Sequence, residues 1–257
     1  PRKGSSSMSQ RSLLVTGGSG GIGAATARLA AERGWAVAVH FRNGRDGAES
    51  VVNDIVSNGG VARSFEADLG TEAAVVALFR AMDAELPPLG GLVNNAARVA
   101  PHSMRLADMG ADEIDSLFRV NVTAAMIAAR EALARMSTAR GGTGGAIVNV
   151  SSLAAKHGAP NLYVHYAASK AALDTFTHGF ALEVAGEGVR VNAVRPGLID
   201  TPIHARAGMA GRIAKVGPRM PMGRAGQPEE VARTILWLLS DEASYITGTL
   251  VDVGGGA

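Results

Sequence analysis

Tyr166 and Lys170 stand four residues apart in the stretch VHYAASKAAL, Val164 to Leu173. On a helix, residues at that spacing lie on one face, one above the other. A phenol and an ammonium would then project the same way from a surface of small residues. A phenol ionises at about pH 10 and is a poor base at neutral pH. A nearby cation stabilises the phenolate and lowers that value. The pair is therefore suited to moving a proton at an oxygen. Taken alone, it also fits a solvated helix face, and other residues must decide.

The stretch TGGSGGIG, Thr16 to Gly23, carries a second kind of chemistry. Its glycines match GxGxxG at Gly18, Gly20 and Gly23, and GxxxGxG at Gly17, Gly21 and Gly23. Glycine permits positive φ and lets a pyrophosphate approach the backbone. A helix that starts there offers free N–H groups and a positive dipole end. The stretch sits between an apolar run, Leu13–Gly18, and the helix-forming IGAATARLAAERG. That context makes it a dinucleotide-binding turn.

These residues need elements to hold them. Apolar runs predict strands at Leu13–Gly18, Trp35–Phe41, Val61–Leu69, Gly90–Ala97, Gly144–Ser152, Val189–Gly197 and Thr249–Gly255. Helical stretches fall between them, and Thr71 is placed to cap one. Gly34, Gly59 and Gly60 are natural helix stops. The segment Asp112–Met136 reads as one long helix, and the helix bearing Tyr166 runs to about Ala185. Strands that are continuous apolar runs, alternating with helices, predict a mainly parallel seven-stranded sheet covered on both faces. The fold class is therefore α/β, a single-domain doubly wound Rossmann fold over residues 8–257. Ligands in such sheets bind at the carboxyl ends of strands. Gly17–Gly23, Arg42, Asp68, Asn95, Ser152 and Pro196–Thr201 all fall there.

Composition sets limits on the alternatives. The 257 residues are 47% hydrophobic and 19% charged, as in globular chains. With no cysteine, disulfides, thiolate metal sites and a cysteine nucleophile are excluded. The six histidines show no HxxxH or HExxH pattern, so no metal site is expected. His157 reads as a surface-loop residue, a place at the substrate mouth being the rival reading. Net charge is +2 although the pI is near 9.3, too mild an excess for a dedicated nucleic-acid or membrane surface. No apolar run reaches the roughly 18 residues of a membrane span. A cytoplasmic protein is expected. Pro1–Ser7 reads as an expression remnant with Met8 the native start, a disordered native tail being the rival reading.

Five elements in order resemble the short-chain dehydrogenase/reductase family. They are Thr16–Gly23, Asn94–Ala97, Ser151–Ser152, Tyr166–Lys170 and Pro196–Thr201, and the likeness spans Ser12 to the end. Ala97 departs from the family's usual glycine. The resemblance implies a catalytic set of Asn121, Ser152, Tyr166 and Lys170. Ser151 competes with Ser152, but the spacing to Tyr166 favours Ser152, with one extra loop residue. By the same likeness Lys170 holds the nicotinamide ribose, Ser152 binds the substrate oxygen, and Asn121 holds a water that links Lys170 to solvent. Ala167, Ala168 and Ser169 are expected to let the helix lie close to the cofactor. The dinucleotide is expected to meet Gly17, Ser19, Gly21, Ile22 and Gly23 in the glycine turn. Arg42 and Asn43 would follow at the second strand exit, and Asp68 and Leu69 at the third. Asn95, Ala96 and Ala97 would meet it at the fourth, with Pro196, Gly197, Ile199 and Thr201 after the sixth. Residues 202–224 correspond to the family's substrate lid, and a homotetramer is implied.

The second strand exit, VHFRNGRDG, bears on cofactor choice. An NAD-selective site usually places an acid roughly 20 residues beyond the glycines to bind the ribose 2′-hydroxyl. Here His40, Phe41, Arg42 and Asn43 fill that place, and the first acid is Asp46. Arg42 offers a 2′-phosphate a planar fork of donors. NADP is therefore expected over NAD, although Gly20 lacks the basic residue that many NADP-preferring relatives carry, so dual use stays open. The expected activity is an NADP(H)-dependent oxidoreductase that interconverts a carbonyl and a secondary alcohol. Sugar dehydrogenases and 3-oxoacyl thioester reductases are equally similar. A dinucleotide-binding sensor without catalysis is the alternative of a different class.

Overall fold

The computed structural model describes residues 11–100, 102–206 and 208–257. The readings of Pro1–Ser7 and Met8 lie outside the described residues. The predicted apolar runs form seven strands: β1 Ser12–Val15, β2 Ala36–Phe41, β3 Val61–Glu66, β4 Leu89–Asn94, β5 Gly145–Val150, β6 Val189–Pro196 and β7 Leu250–Val253. They pair in the order β3-β2-β1-β4-β5-β6-β7, and every neighbouring pair is parallel. The chain winds outward from β1 to one edge, then returns to β4 and winds to the other. The carboxyl ends of β1 and β4 therefore open a crevice at the switch point.

Strands β1, β2 and β4 are buried along their whole length, so both sheet faces need helical cover. One face packs against α1 Gly21–Glu32, α2 Arg45–Ser57 and a later helix at Pro228–Leu239. The other packs against α3 Glu72–Glu85, the helix Ala124–Met136 and the helix Val164–Val184. In chain order the remaining helices are α4 Ala111–Phe118, α5 Ala124–Met136, α6 Ala154–His157, α7 Val164–Val184, α8 Ile203–Arg206, α9 Arg212–Val216 and α10 Pro228–Leu239. Thr71 caps α3 as expected, accepting from the Ala74 N–H at 3.3 Å. Gly34 and Gly59 follow their helices with φ of +87° and +80°, as helix stops require.

The structure departs from the sequence reading in three places. The expected helix Asp112–Met136 is interrupted by a π turn at Arg119–Thr123, between α4 and α5. The turn holds an extra residue, as such bulges do, and it carries Asn121, which is only 2% exposed. Strands β1 and β4 end earlier than their apolar runs. Thr16 leaves the sheet because its hydroxyl donates to the Val93 carbonyl at 3.2 Å and accepts from the N–H groups of Asn95 and Ala96 at 2.9 and 3.0 Å. Ala168 lies exposed on the outer face of α7, away from the site, whereas Ala167 and Ser169 are buried.

Two polar links align the site-bearing elements from inside the core. Asn94 and Asn149 are register partners on β4 and β5, and the Asn94 side chain donates to the side-chain Oδ1 of Asn149 at 2.9 Å. Asn149 in turn donates to the Thr177 hydroxyl on α7 at 2.8 Å. His40, 2% exposed at the end of β2, accepts from the Gly17 N–H at 3.0 Å. Its other ring nitrogen lies 3.0 Å from the Ala67 carbonyl. Gly17 only donates and Ala67 only accepts, so the ring is neutral with its proton on Nε2. His40 thus ties the glycine turn to the exit of β3.

Asn149→Ala leaves Asn94 and Thr177 short of a partner in the core. Each unpaired buried group costs about 1–3 kcal/mol, so denaturant unfolding is expected to show a loss of at least about 2 kcal/mol. An unchanged midpoint and slope would show that the link carries no stability. Burial, partly opposed by the Ala67 hydrogen bond and Asp68, lowers the His40 pKa below its ordinary value. The unfolded chain therefore binds the proton more readily. His40 contributes stability that is present above about pH 6.5. That stability is lost as pH falls through the folded-state value, at up to about 1.4 kcal/mol per pH unit. Unfolding curves from pH 7 to pH 5 are expected to show a shallower decline for His40→Gln than for the wild type.

Candidate active site

The glycine turn is shaped for close approach of an anion. Gly17 and Gly21 hold φ of +65° and +53°. A Cβ on Gly23 would lie 2.3 Å from the Gly17 carbonyl oxygen, so a side chain there would displace the turn. The turn runs into α1, whose first turn holds no acid and whose Gly20 supplies no side-chain cap. Its leading N–H groups and positive dipole end are therefore left for an anion. Asn95 closes the turn from β4, donating to the carbonyls of Thr16 and Gly17 at 2.9 and 3.0 Å. These residues fit a dinucleotide pyrophosphate.

Beyond this cradle, a cavity of about 270 Å³ opens between the ends of β4, β5 and β6 and the helices after β6. Ser152, Tyr166 and Lys170 line it together with Ile22, Asn95 and Ala97. Pro196, Gly197, Ile199 and Thr201 complete that wall. Ten expected site residues thus meet around one space. The Ser152 hydroxyl accepts from the Ala154 N–H at 3.1 Å and lies near enough to the Tyr166 phenol to oppose the effect of burial on it. Ser151 instead donates to the Lys170 carbonyl at 3.2 Å, which is a structural bond within the core. Lys170 is 2% exposed; its ammonium donates to the Val150 carbonyl at 2.7 Å and lies 5.6 Å from the Tyr166 ring centre.

The titration of these groups differs from the sequence reading. Burial pushes the Tyr166 pKa up to about 12, with the Ser152 hydrogen bond opposing it. Burial lowers that of Lys170 to about 8, opposed by Asp174. Desolvation thus outweighs the expected pull of the cation on the phenol. At neutral pH the pair is a protonated phenol beside an ammonium, a proton donor ready for a carbonyl oxygen.

Asn121 lies under the site and does not line the cavity. Its side chain accepts from the Arg98 N–H at 2.7 Å and donates to the Arg98 carbonyl and the Ser169 hydroxyl, both at 3.0 Å. Both of its donors are used, so only one lone pair of Oδ1 remains for the expected water. Instead, Asn121 clamps the chain after β4 to α7, one residue before Lys170. Arg98 also binds Glu113 at 2.7 Å, and His165 approaches the same carboxylate at 3.7 Å. This cluster joins the cofactor-facing loop, α4 and the residue before Tyr166. Nothing in the sequence marked it, since its members are far apart and match no motif.

At the second strand exit, Arg42 and Asn43 are exposed, and Arg42 makes no hydrogen bond or ion pair among the described residues. Arg45 nearby is committed to Glu66 and to the face of Phe41. A Cβ on Gly44 would lie 2.8 Å from the Ser19 hydroxyl, so this exit closes against the glycine turn. Asp68 accepts from the Gly70 N–H at 3.0 Å, and Leu69 is buried beside it. His157 is exposed at the end of α6 and does not line the cavity. His40 and Arg212 do bear on the site, although the sequence reading gave neither a role.

Comparison with known proteins agrees with this architecture. A family model described as enoyl-(acyl carrier protein) reductase matches residues 17–257. The uncharacterized oxidoreductase YgfF of Escherichia coli strain K12 is 49% identical over 95% of this chain and 98% of its own length. The 3beta-hydroxysteroid dehydrogenase 1 of Eggerthella lenta is 38% identical over 96% of this chain and 93% of its own. A blue fluorescent protein from a metagenomic library, solved in complex with NADPH, shares the fold with a TM-score of 0.87 and 29% identity. That match covers 96% of this chain and 97% of the other. No helix among the described residues is long and apolar enough to cross a membrane. With its parallel sheet, its glycine turn and its Tyr–Lys pair, the chain belongs to the short-chain dehydrogenase/reductase family of oxidoreductases.

Proposed function

We propose that this chain is an NADP(H)-dependent oxidoreductase that interconverts a carbonyl and a secondary alcohol. The convergence of Ser152, Tyr166 and Lys170 on one cavity wall, beside the glycine cradle, carries this reading. The dinucleotide, when bound, supplies or accepts the hydride. In reduction, Tyr166 donates its proton to the carbonyl oxygen, and Ser152 holds that oxygen by a second hydrogen bond. The phenolate left behind faces the Lys170 ammonium, which the Val150 carbonyl holds in place. Lys170 would also hold the nicotinamide ribose. In the reverse direction Tyr166 must first ionise, which its burial resists and the positive charge of an oxidised nicotinamide would favour.

The pyrophosphate would rest in the glycine turn at Gly17–Gly23 on the leading N–H groups of α1, since the Gly17 and Gly18 N–H groups are already bonded to His40. Arg42, unpaired and exposed beside Asn43 and Ser19, would meet a 2′-phosphate. The fold relative bound to NADPH supports this reading, and the missing acid at the end of β2 removes the usual partner of NAD. Residues 202–224 would form the substrate lid, with Ile203, Met209, Val216 and Met220 on its inner side. Val164 and Leu182 on α7 and Met126 on α5 are exposed apolar residues, which supports assembly into a homo-oligomer through these helices.

Tyr166→Phe keeps the ring and removes the proton. Turnover is expected to fall by roughly 100- to 10,000-fold, the usual worth of acid–base catalysis. NADPH binding, read by fluorescence titration, should stay unchanged. Near-normal turnover would remove Tyr166 from the chemistry. For cofactor choice, kcat/KM with NADP is expected to exceed that with NAD. Arg42→Ala should lower the NADP value by about tenfold or more while sparing NAD. A wild-type preference for NAD, or no effect of the substitution, would rule out Arg42 as the reader of the 2′-phosphate.

A further inference from the structure

The cavity that Tyr166 lines also holds a second cation, Arg212, for which no ion pair is made among the described residues. Arg212, the first residue of α9, lines the cavity. Its Nη1 donates to the Met209 sulfur at 3.0 Å, a weak acceptor. Its Nε is buried and has no hydrogen-bond partner among the described residues. Several of the less exposed arginines are matched: Arg98 with Glu113, Arg195 with Asp174 and Asp252, and Arg135 with Asp83 and Glu131. Among the described residues no Asp or Glu lines this cavity. Its other cation, Lys170, is already held by the Val150 carbonyl.

A guanidinium stays charged at any working pH and carries five donors in a fixed fork. Burying one of those donors without an acceptor costs free energy. The arrangement is relieved when an anionic acceptor enters the cavity. On the segment that holds Arg212 the cavity is lined by the apolar side chains of Ile203, Met209, Val216 and Met220, with Val99 and Leu153 elsewhere on its wall. An acceptor brought there must therefore be attached to an apolar body.

We propose that the substrate is a small apolar ketone or secondary alcohol that carries a carboxylate, and that Arg212 binds that carboxylate while Tyr166 and Ser152 hold the reacting oxygen. The inference rests on the oxidoreductase reading for the reacting end only. The anion site itself is a matter of binding. The competing assignment is that Arg212 serves the dinucleotide.

The test uses a pair of unreactive probes, cyclohexanecarboxylate and its neutral amide, titrated by calorimetry into the NADP-saturated protein. The carboxylate is expected to bind about tenfold or more tightly than the amide, as a charge-assisted pair allows. That ratio should fall to about one in Arg212→Gln and be partly kept in Arg212→Lys, which retains the charge without the fork. In parallel, kcat/KM for 4-oxocyclohexanecarboxylate should drop about tenfold in Arg212→Gln while that for cyclohexanone and the KM for NADPH hold. Equal binding of the two probes to the wild type, binding of neither, or a ratio that survives in Arg212→Gln overturns the proposal. A raised KM for NADPH with an unchanged probe ratio assigns Arg212 to the dinucleotide and also overturns it. Carboxylate selectivity without turnover of any ketone leaves the anion site standing and removes the oxidoreductase reading. Turnover without selectivity does the reverse.

Discussion

The burial of the Lys170 ammonium is the constraint around which the site is built. A charged group in so dry a place is costly unless it is bonded. Here it has the Val150 carbonyl at the end of β5, with Asp174 one turn further along the same helix. The bond requires α7 to lie against β5 at a fixed height. Several contacts set that height: Asn149 to Thr177, Ser151 to the Lys170 carbonyl, Asn121 to Ser169, and Arg195 to Asp174. They join α7 to β5 and its exit, to the π turn and to β6. The phenol of Tyr166, one turn before the lysine, is positioned by the same set.

The glycine turn solves a related problem with the opposite means. Side chains are absent there, so backbone groups must be held by others. Thr16 gathers three groups from β4, Asn95 returns two bonds, and His40 anchors Gly17 from β2. All of these bonds use polar side chains at the ends of buried strands. They leave the leading N–H groups of α1 without an internal partner. A turn that is braced by its carbonyls and its first two N–H groups while the leading donors of α1 stay open is suited to anions.

The cavity between these two regions has a simple division of labour. Polar groups sit at the strand ends, and apolar residues line the helices after β6. Arg212 breaks that division and is the feature of the wall that most narrows the class of ligand. The exposed apolar residues Met126, Val164 and Leu182 lie on α5, which follows the turn that holds Asn121, and on α7, which holds Lys170. An assembly through those helices would therefore stiffen the site.

The sequence by itself determined the layers and the reacting pair. Alternating apolar runs and helices require a covered parallel sheet, because each strand must bury both faces. The strand exits then fall where ligands bind, and the spacing of Tyr166 and Lys170 puts both on one helix face. The spacing also favoured Ser152 over Ser151; in the fold both line the cavity, and Ser151 donates to the Lys170 carbonyl. Other features were decided only when distant segments met. Whether Lys170 or burial governs Tyr166 depends on how much water remains, and that is a property of packing. Asn121 in the π turn accepts from the Arg98 N–H and donates to the Arg98 carbonyl and the Ser169 hydroxyl, contacts that no local pattern encodes. Ala168 faces outward because the helix rolls to bury Ala167 and Ser169. His40, the Arg98–Glu113–His165 cluster and the unpaired Nε of Arg212 follow from the same cause. A hydrogen bond or an unmatched charge is defined by its neighbours in space, and these neighbours are far apart along the chain.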